Sequence, residues 1–273
     1  MSKLELYDIQ GNVGEYVQDS WEPSWYGRFQ NQLAIDPLCP STADSRCVIR
    51  GGYWRYNASN SRSAYRYGGI PTSRGPEVGF RAALSVEAVK QLLTQKSSKK
   101  PNPAIAPFDA KQAREHQEAW AKHFGVPVEY TNSIGMKFVL IPPGEFMMGS
   151  TSDEIEETMT LARGNKAWEE KTLSQSPQHK VILSQPFYLG VCEVTQKNYE
   201  SIMGRNPSHF SATGGGKNAV VGVDTANYPV ESVHWNDAVE YCVRLSMKEG
   251  FRPCYDRKGD EFALRLGNGY RLP

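Results

Sequence analysis

A chain that interrupts itself with 24 glycines and 17 prolines in 273 residues is not a regular helical bundle. Glycine loses the most backbone freedom on folding, and proline removes a hydrogen-bond donor and clashes inside a helix. Such a chain spends much of its length in loops, and loops need anchors. The 6 Trp, 14 Tyr and 10 Phe residues supply them. The expectation is an α+β fold, loop-rich, with short strands and a few helices held by aromatic clusters. Lys and Arg total 31 against 30 Asp and Glu, a net charge of +1. That balance excludes the basic footprint of a dedicated nucleic-acid binder. No stretch approaches the run of about 20 apolar residues that a membrane helix needs. The nearest, 138–148, is short and broken by Pro142 and Pro143. The first residues lack the basic-then-apolar pattern of a signal peptide, and the compartment stays unknown. Five cysteines, at 39, 47, 192, 242 and 254, fit neither a dense disulfide framework nor a paired-cysteine metal site.

Three regions differ in composition. Residues 1–84 are rich in Gly, Tyr, Trp, Arg and Asn; strands are expected at 47–50, 53–56 and 78–84, with Gly51-Gly52 as a bulge. In 85–126, Ser85 caps a helix with Val86, Val89, Leu92 and Leu93 on one face. A basic, Pro- and Ser-rich linker follows. Asp109 then caps a second helix bearing Ala113, Trp120 and Phe124, which Gly125 ends. In 127–273, strands are expected at 136–141, 145–148, 179–184 and 186–192, and a helix at 153–172. Thr195 caps a short helix that Gly204 ends. A Gly-rich loop covers 209–227, and a helix at 235–249 buries Trp235, Val239, Cys242 and Leu245.

Particular motifs narrow this picture. NSIGMKFVLIPPGEFMMG (132–149), PFYLGVCEVTQKNYESIMG (186–204), NPSHF (206–210), YPVESVHWNDAVEYC (228–242) and YRLP (270–273) occur in that order. The series resembles the opening half of the formylglycine-generating enzyme, or sulfatase-modifying factor, family. LYDIQGNVGEYVQD (6–19), RCVIRGGYW (46–54) and GFRAAL (79–84) resemble that family's closing motifs. The resemblance implies a variant of the C-type lectin-like fold, incomplete and in permuted order. It divides the chain into the C-terminal part of one such domain (1–84), a helical linker (85–126) and the N-terminal part of a second (127–273). A slice of a tandem array is the simplest account; a circularly permuted domain with a deletion is the alternative. The lectin-like fold sets first and last strands close together, so the strand at 136–141 is expected to pair with 78–84, with both parts sharing one core.

The resemblance also implies sites. In the family, the loop matching 8–15 binds Ca²⁺, here through the carboxylates of Asp8 and Glu15 and the carbonyls of Gly11 and Val13; calcium favours such hard oxygen ligands. The residues alone fit a plainer role equally, with Asp8 capping a turn and Glu15 pairing with an arginine. The family's oxidases bind copper through two cysteines after the RGG motif. The matching positions hold Tyr56 and Ser61, and neither hydroxyl replaces a soft thiolate, so copper is not expected. The family's substrate groove corresponds to the amide- and aromatic-rich stretch after Gly52. There Tyr53, Trp54, Tyr56, Asn57, Asn60, Arg62 and Tyr65 are candidates for a surface binding a protein, peptide or small polar ligand. Cys39 and Cys47 read as a pair, as free thiols or as inert buried residues; Cys242 reads as core. His179 and His234 read as packed imidazoles, and Gly214–Gly216 as a flexible loop without a complete phosphate motif. The expected function is a non-catalytic recognition or scaffold module belonging with other domains of a longer protein. The alternatives are an oxidoreductase or other family enzyme active only in the complete protein, and a non-functional gene fragment.

Overall fold

Small polar residues start the helices. In the computed structural model, which describes residues 4–40, 46–55, 58–93, 100–259 and 261–273, Ser85 accepts from the amide of Ala88 and starts helix α1 (Val86–Gln91). Asp109 and Gln112 form a reciprocal capping box that starts α2 (Ala110–Phe124), and Gly125 ends it in the left-handed conformation. Thr151 opens α3 (Ser152–Ala162), Asn165 opens α4 (Lys166–Leu173), Thr195 opens α5 (Gln196–Met203) and His234 opens α6 (Trp235–Lys248). The single helix expected at 153–172 is two. Gly164 takes φ +86°, which no α-helix accommodates, and Asn165 restarts the next helix with a fresh cap. Helix α1 stops sooner than the apolar pattern implies, so Leu92 and Leu93 fall beyond it and are exposed.

In chain order the strands are β1 (Gly14–Ser20), β2 (Ala34–Ile35), β3 (Cys47–Arg50), β4 (Arg66–Gly69), β5 (Val78–Phe80), β6 (Ala83–Ser85), β7 (Ala104–Ile105), β8 (Glu129–Thr131), β9 (Lys137–Ile141), β10 (Gly144–Met148), β11 (His179–Leu183), β12 (Phe187–Gly190), β13 (Tyr255–Lys258), β14 (Glu261–Leu264) and β15 (Tyr270–Arg271). The first sheet runs β4-β3-β1-β5, the second β2-β11-β10-β7 and the third β15-β6-β12-β9-β8; β13 and β14 form a separate hairpin. The expected strand at 78–84 is broken at Arg81-Ala82 and serves two sheets. Strand β9 does not pair with it: β12 lies between β9 and β6, and holds both antiparallel. No strand forms at 53–55, because the chain turns sharply at Gly51 and Gly52, with φ of +91° and +70°.

Aromatic rings join the sheets and helices. Phe80 of β5 meets Tyr241 of α6 edge-on at 5.4 Å, and Tyr241 stacks on Tyr199 of α5 at 5.7 Å. Phe138 of β9 packs on Tyr270 of β15 at 5.6 Å. From the middle region, α2 drives Trp120 into the same core, where its indole Nε1 donates to the carbonyl of Asn102 at 3.1 Å. Gln117, one turn earlier, donates to the carbonyl of Leu140 at 3.0 Å. One hydrophobic cluster therefore runs through residues from all three compositional regions.

Candidate functional site

The break in the strand at Arg81 organises the best-defined polar site. Residues 8–13 curl because Asp8, Gly11 and Asn12 take positive φ. The amide of Gly11 donates to the carbonyl of Gly51 at 2.7 Å, and that of Trp54 to the carbonyl of Asn12 at 3.0 Å. Loop 8–13 thus lies against the turn 51–54. Gly51 is required there, since a side chain would strain its φ of +91° and press on the carbonyl of Ile9.

Arg81 sits beneath this loop with a side chain only 2% exposed. Its Nε and Nη2 donate to the Glu15 carboxylate, the latter at 2.8 Å. Nη1 donates to the carbonyls of Gly190 and Val191, and Nη2 also to that of Tyr7. A second buried carboxylate, Glu193, lies 3.6 Å from Nη2 and accepts from the Asn12 amide Nδ2 at 3.0 Å. One guanidinium thereby fastens the loop before β1, strand β1 and the turn after β12. Two carboxylates share one buried cation. Glu15 has the short contacts, and burial plus repulsion from Glu15 outweigh the pull of Arg81 on Glu193. The Glu193 carboxyl is pushed up from 4.5 to about 7, with Asp8 adding to the repulsion.

This shift has a consequence for stability. The folded protein holds a proton on Glu193 that the unfolded chain releases above its ordinary value. The sign follows: stability from this group is full below about pH 4.5 and is lost as pH rises through about 7. Glu193→Gln should flatten that slope and leave the variant more stable than the parent above pH 7, on the order of 2–3 kcal/mol. Urea denaturation across that range checks it, and parallel profiles would contradict it.

Of the four residues that the resemblance assigns to calcium, Glu15 has both carboxylate oxygens on Arg81. Asp8 is the carboxylate not engaged by Arg81, and no group of three His, Cys, Asp or Glu side chains suited to a metal occurs among the described residues. As arranged, the oxygens of 8–15 are the right chemistry for calcium, but the fixed charge of Arg81 occupies the place of the cation beside Glu15. Arg81 and Glu193 were missed in the sequence. The signal was present: a charged residue in the middle of each of two otherwise apolar runs, GFRAAL and GVCEV.

The stretch after Gly52 divides. Trp54 is 54% exposed, with the Arg55 guanidinium 5.5 Å from its ring and Phe210 edge-on at 5.9 Å. Tyr53 is half-buried and packs against the core. Arg62 reaches away to donate to Ser150 Oγ at 3.2 Å and Gln175 Oε1 at 2.9 Å. Tyr65 is core, 2% exposed and packed on Tyr67. Asn60 is partly buried beside Ser61, whose hydroxyl lies close under Gly52. Tyr56 and Asn57 lie outside the described residues. Phe210 comes from the NPSHF motif, distant in sequence, and no local signal links it to Trp54.

The remaining candidates are structural. The ring of His179 packs between Tyr26 and Phe29, its Nδ1 donates to the carbonyl of Pro177, and burial pushes its pKa down. His234 caps α6 by accepting from the amide of Asp237. Gly214–Gly216 fold tightly against the backbone and ring of His209. All five cysteines are free. Burial pushes the Cys47 thiol up to about 12 and that of Cys39 up to about 11, so both are poor nucleophiles.

The profile of the sulfatase-modifying factor enzyme 1-like domain matches residues 1–86 and 123–273, so the chain belongs to that family. The unmatched interval, 87–122, takes in most of α1, the segment after it and most of α2. A chaperone protein, LppX of Paenibacillus barcinonensis, is 34% identical over 140 residues, covering 45% of this chain and 44% of its own length. A formylglycine-generating enzyme of Thermomonospora curvata is 35% identical over 81 residues, 29% of this chain and 26% of that enzyme. The serine/threonine-protein kinase Pkn1 of Chlamydia trachomatis is 35% identical over 89 residues, 32% of this chain and 14% of the kinase. Among solved structures, Treponema denticola variable protein 1 matches with a TM-score of 0.36 and 29% identity over 50% of this chain and 42% of its own. The matched stretches span less than half of each relative. No helix among the described residues is long and apolar enough to cross a membrane.

Proposed function

We propose that this chain is a recognition module of the sulfatase-modifying factor family that binds a partner and does not carry out copper-dependent cysteine oxidation. The observation that carries the reading is the pair of residues at the positions matching the family's copper cysteines, Tyr56 and Ser61. Neither supplies a thiolate for Cu(I). The exposed Trp54, buttressed by Phe210, gives a binding surface an aromatic anchor of the kind that dominates protein interfaces. The chaperone among the relatives favours a protein or peptide partner, including another domain of a longer protein. Calcium belongs to the reading through loop 8–15. Glu15 would exchange Arg81 for the metal, and Arg81 would fall to Glu193.

The test is oxygen-dependent aldehyde formation on a cysteine-containing peptide with Cu(I) supplied. No aldehyde is expected from the chain or from Ser61→Ala, and a signal above the protein-free control would overturn the reading. Thermal scans with calcium chloride and with chelator, on the parent and on Glu15→Gln, check the loop: stabilisation by calcium in the parent alone supports it, and identical scans reject it.

A further inference from the structure

The second sheet has an outer face as well as an inner one. Its register sets Ile35, Ile182, Glu145 and Ile105 in one row across all four strands. The next row on that face pairs Lys180 with Met147. Successive residues of a strand point to opposite faces, so the neighbours Ala34, Val181, Gly144 and Ala104 point inward, and all four are buried. Little covers the outer row. Ile35 is 59% exposed, Ile105 60% and Met147 55%, and Leu33, just before β2, is equally open. Single exposed aliphatic residues are ordinary, whereas several grouped on one sheet face around a polar centre mark a contact surface. Its polar centre is an ion pair between Lys180 and Glu145.

We infer that this face docks a second copy of the chain. The charge pattern selects the occupant. One acid and one base sit side by side within an aliphatic field, which makes the face its own complement. A two-fold axis passing between them lays each Glu145 over the Lys180 of the other copy and sets the surrounding aliphatic side chains against each other. That is the self-complementarity an isologous interface requires. An anionic bilayer surface would call for a basic excess, and the centre of this face is neutral. Joined face to face, the two sheets form a sandwich with a layer spacing of about 10 Å.

Sedimentation velocity of the full chain, over a concentration series from submicromolar to hundreds of micromolar, reads the association directly. A shift from monomer to dimer mass is expected. Ile105→Lys, at an exposed position that leaves folding intact, should weaken the dimer by at least about tenfold. Lys180→Glu and Glu145→Lys should each lose the dimer alone, through like charges across the axis, and form a heterodimer when mixed. Circular dichroism of each variant separates loss of association from loss of fold. A parent chain that stays monomeric throughout overturns the inference. So does a dimer that Ile105→Lys and Lys180→Glu leave unchanged, since its interface then lies elsewhere.

Discussion

Arg81→Met should cost about 3–5 kcal/mol of folding stability, the range for stripping one partner from a buried ion pair. The methionine fills much of the same space, so the loss reports charge and hydrogen bonding more than volume. Glu15 and Glu193 would be left facing each other without a cation, the carbonyls of Tyr7 and Gly190 would lose the guanidinium donor, and that of Val191 would keep only the Tyr7 amide. Glu15→Gln should cost less, because Arg81 keeps Glu193 and its three carbonyls. Urea midpoints for the two variants give the comparison. A loss below about 1 kcal/mol for Arg81→Met would show that solvent reaches the site and that the network is ornamental.

Trp120→Ala should cost a similar 3–5 kcal/mol, the range for removing a large aromatic side chain from a packed core. Trp120 is 1% exposed and its indole is bonded to the backbone of Asn102. Trp120→Phe retains most of the packing and should lose about 1 kcal/mol for the hydrogen bond. The pair distinguishes two descriptions of the middle region: a spacer tethering two units, or a part of the core. Under the second, Trp120→Ala also opens residues 100–126 to protease in native buffer. A loss under about 1 kcal/mol with unchanged proteolysis would favour the spacer.

Local signals were legible and long-range ones were not. Ser85, Asp109 and Thr195 cap the helices that they were expected to cap, and Gly125 and Gly204 end theirs, because capping depends on residues three or four apart. The strand at 47–50 falls where its apolar run places it. The break at Arg81 was hidden: VGFRAAL reads as one strand, and only distant carboxylates and carbonyls explain why the chain gives up its pairing there. Strand β1 is hidden for a related reason, since its partners, β3 and β5, come later in the chain, the nearest pair being Ser20 with Cys47. In the stretch after Gly52, composition identified aromatics but not their direction. Tyr65 turns into the core and Trp54 out of it, and no period in the sequence separates them. The family was carried by ordered motifs, and the matching profile bears that out.

Strand β6 has a consequence for how the molecule is made. Both of its neighbours in the third sheet, β12 and β15, are synthesised long after it: Leu84 pairs with Tyr188 and with Tyr270. The amide of Gln18 likewise waits for the carbonyl of Pro273. Until the ribosome has delivered the chain through Leu189, neither edge of β6 has its native partner, and the second edge waits for Arg271. Folding that depends on contacts so distant in sequence is slow, and the emerging chain exposes strand edges while it waits. The first third of this protein is therefore the stretch most in need of protection during translation, even though it ends at the centre of the finished core.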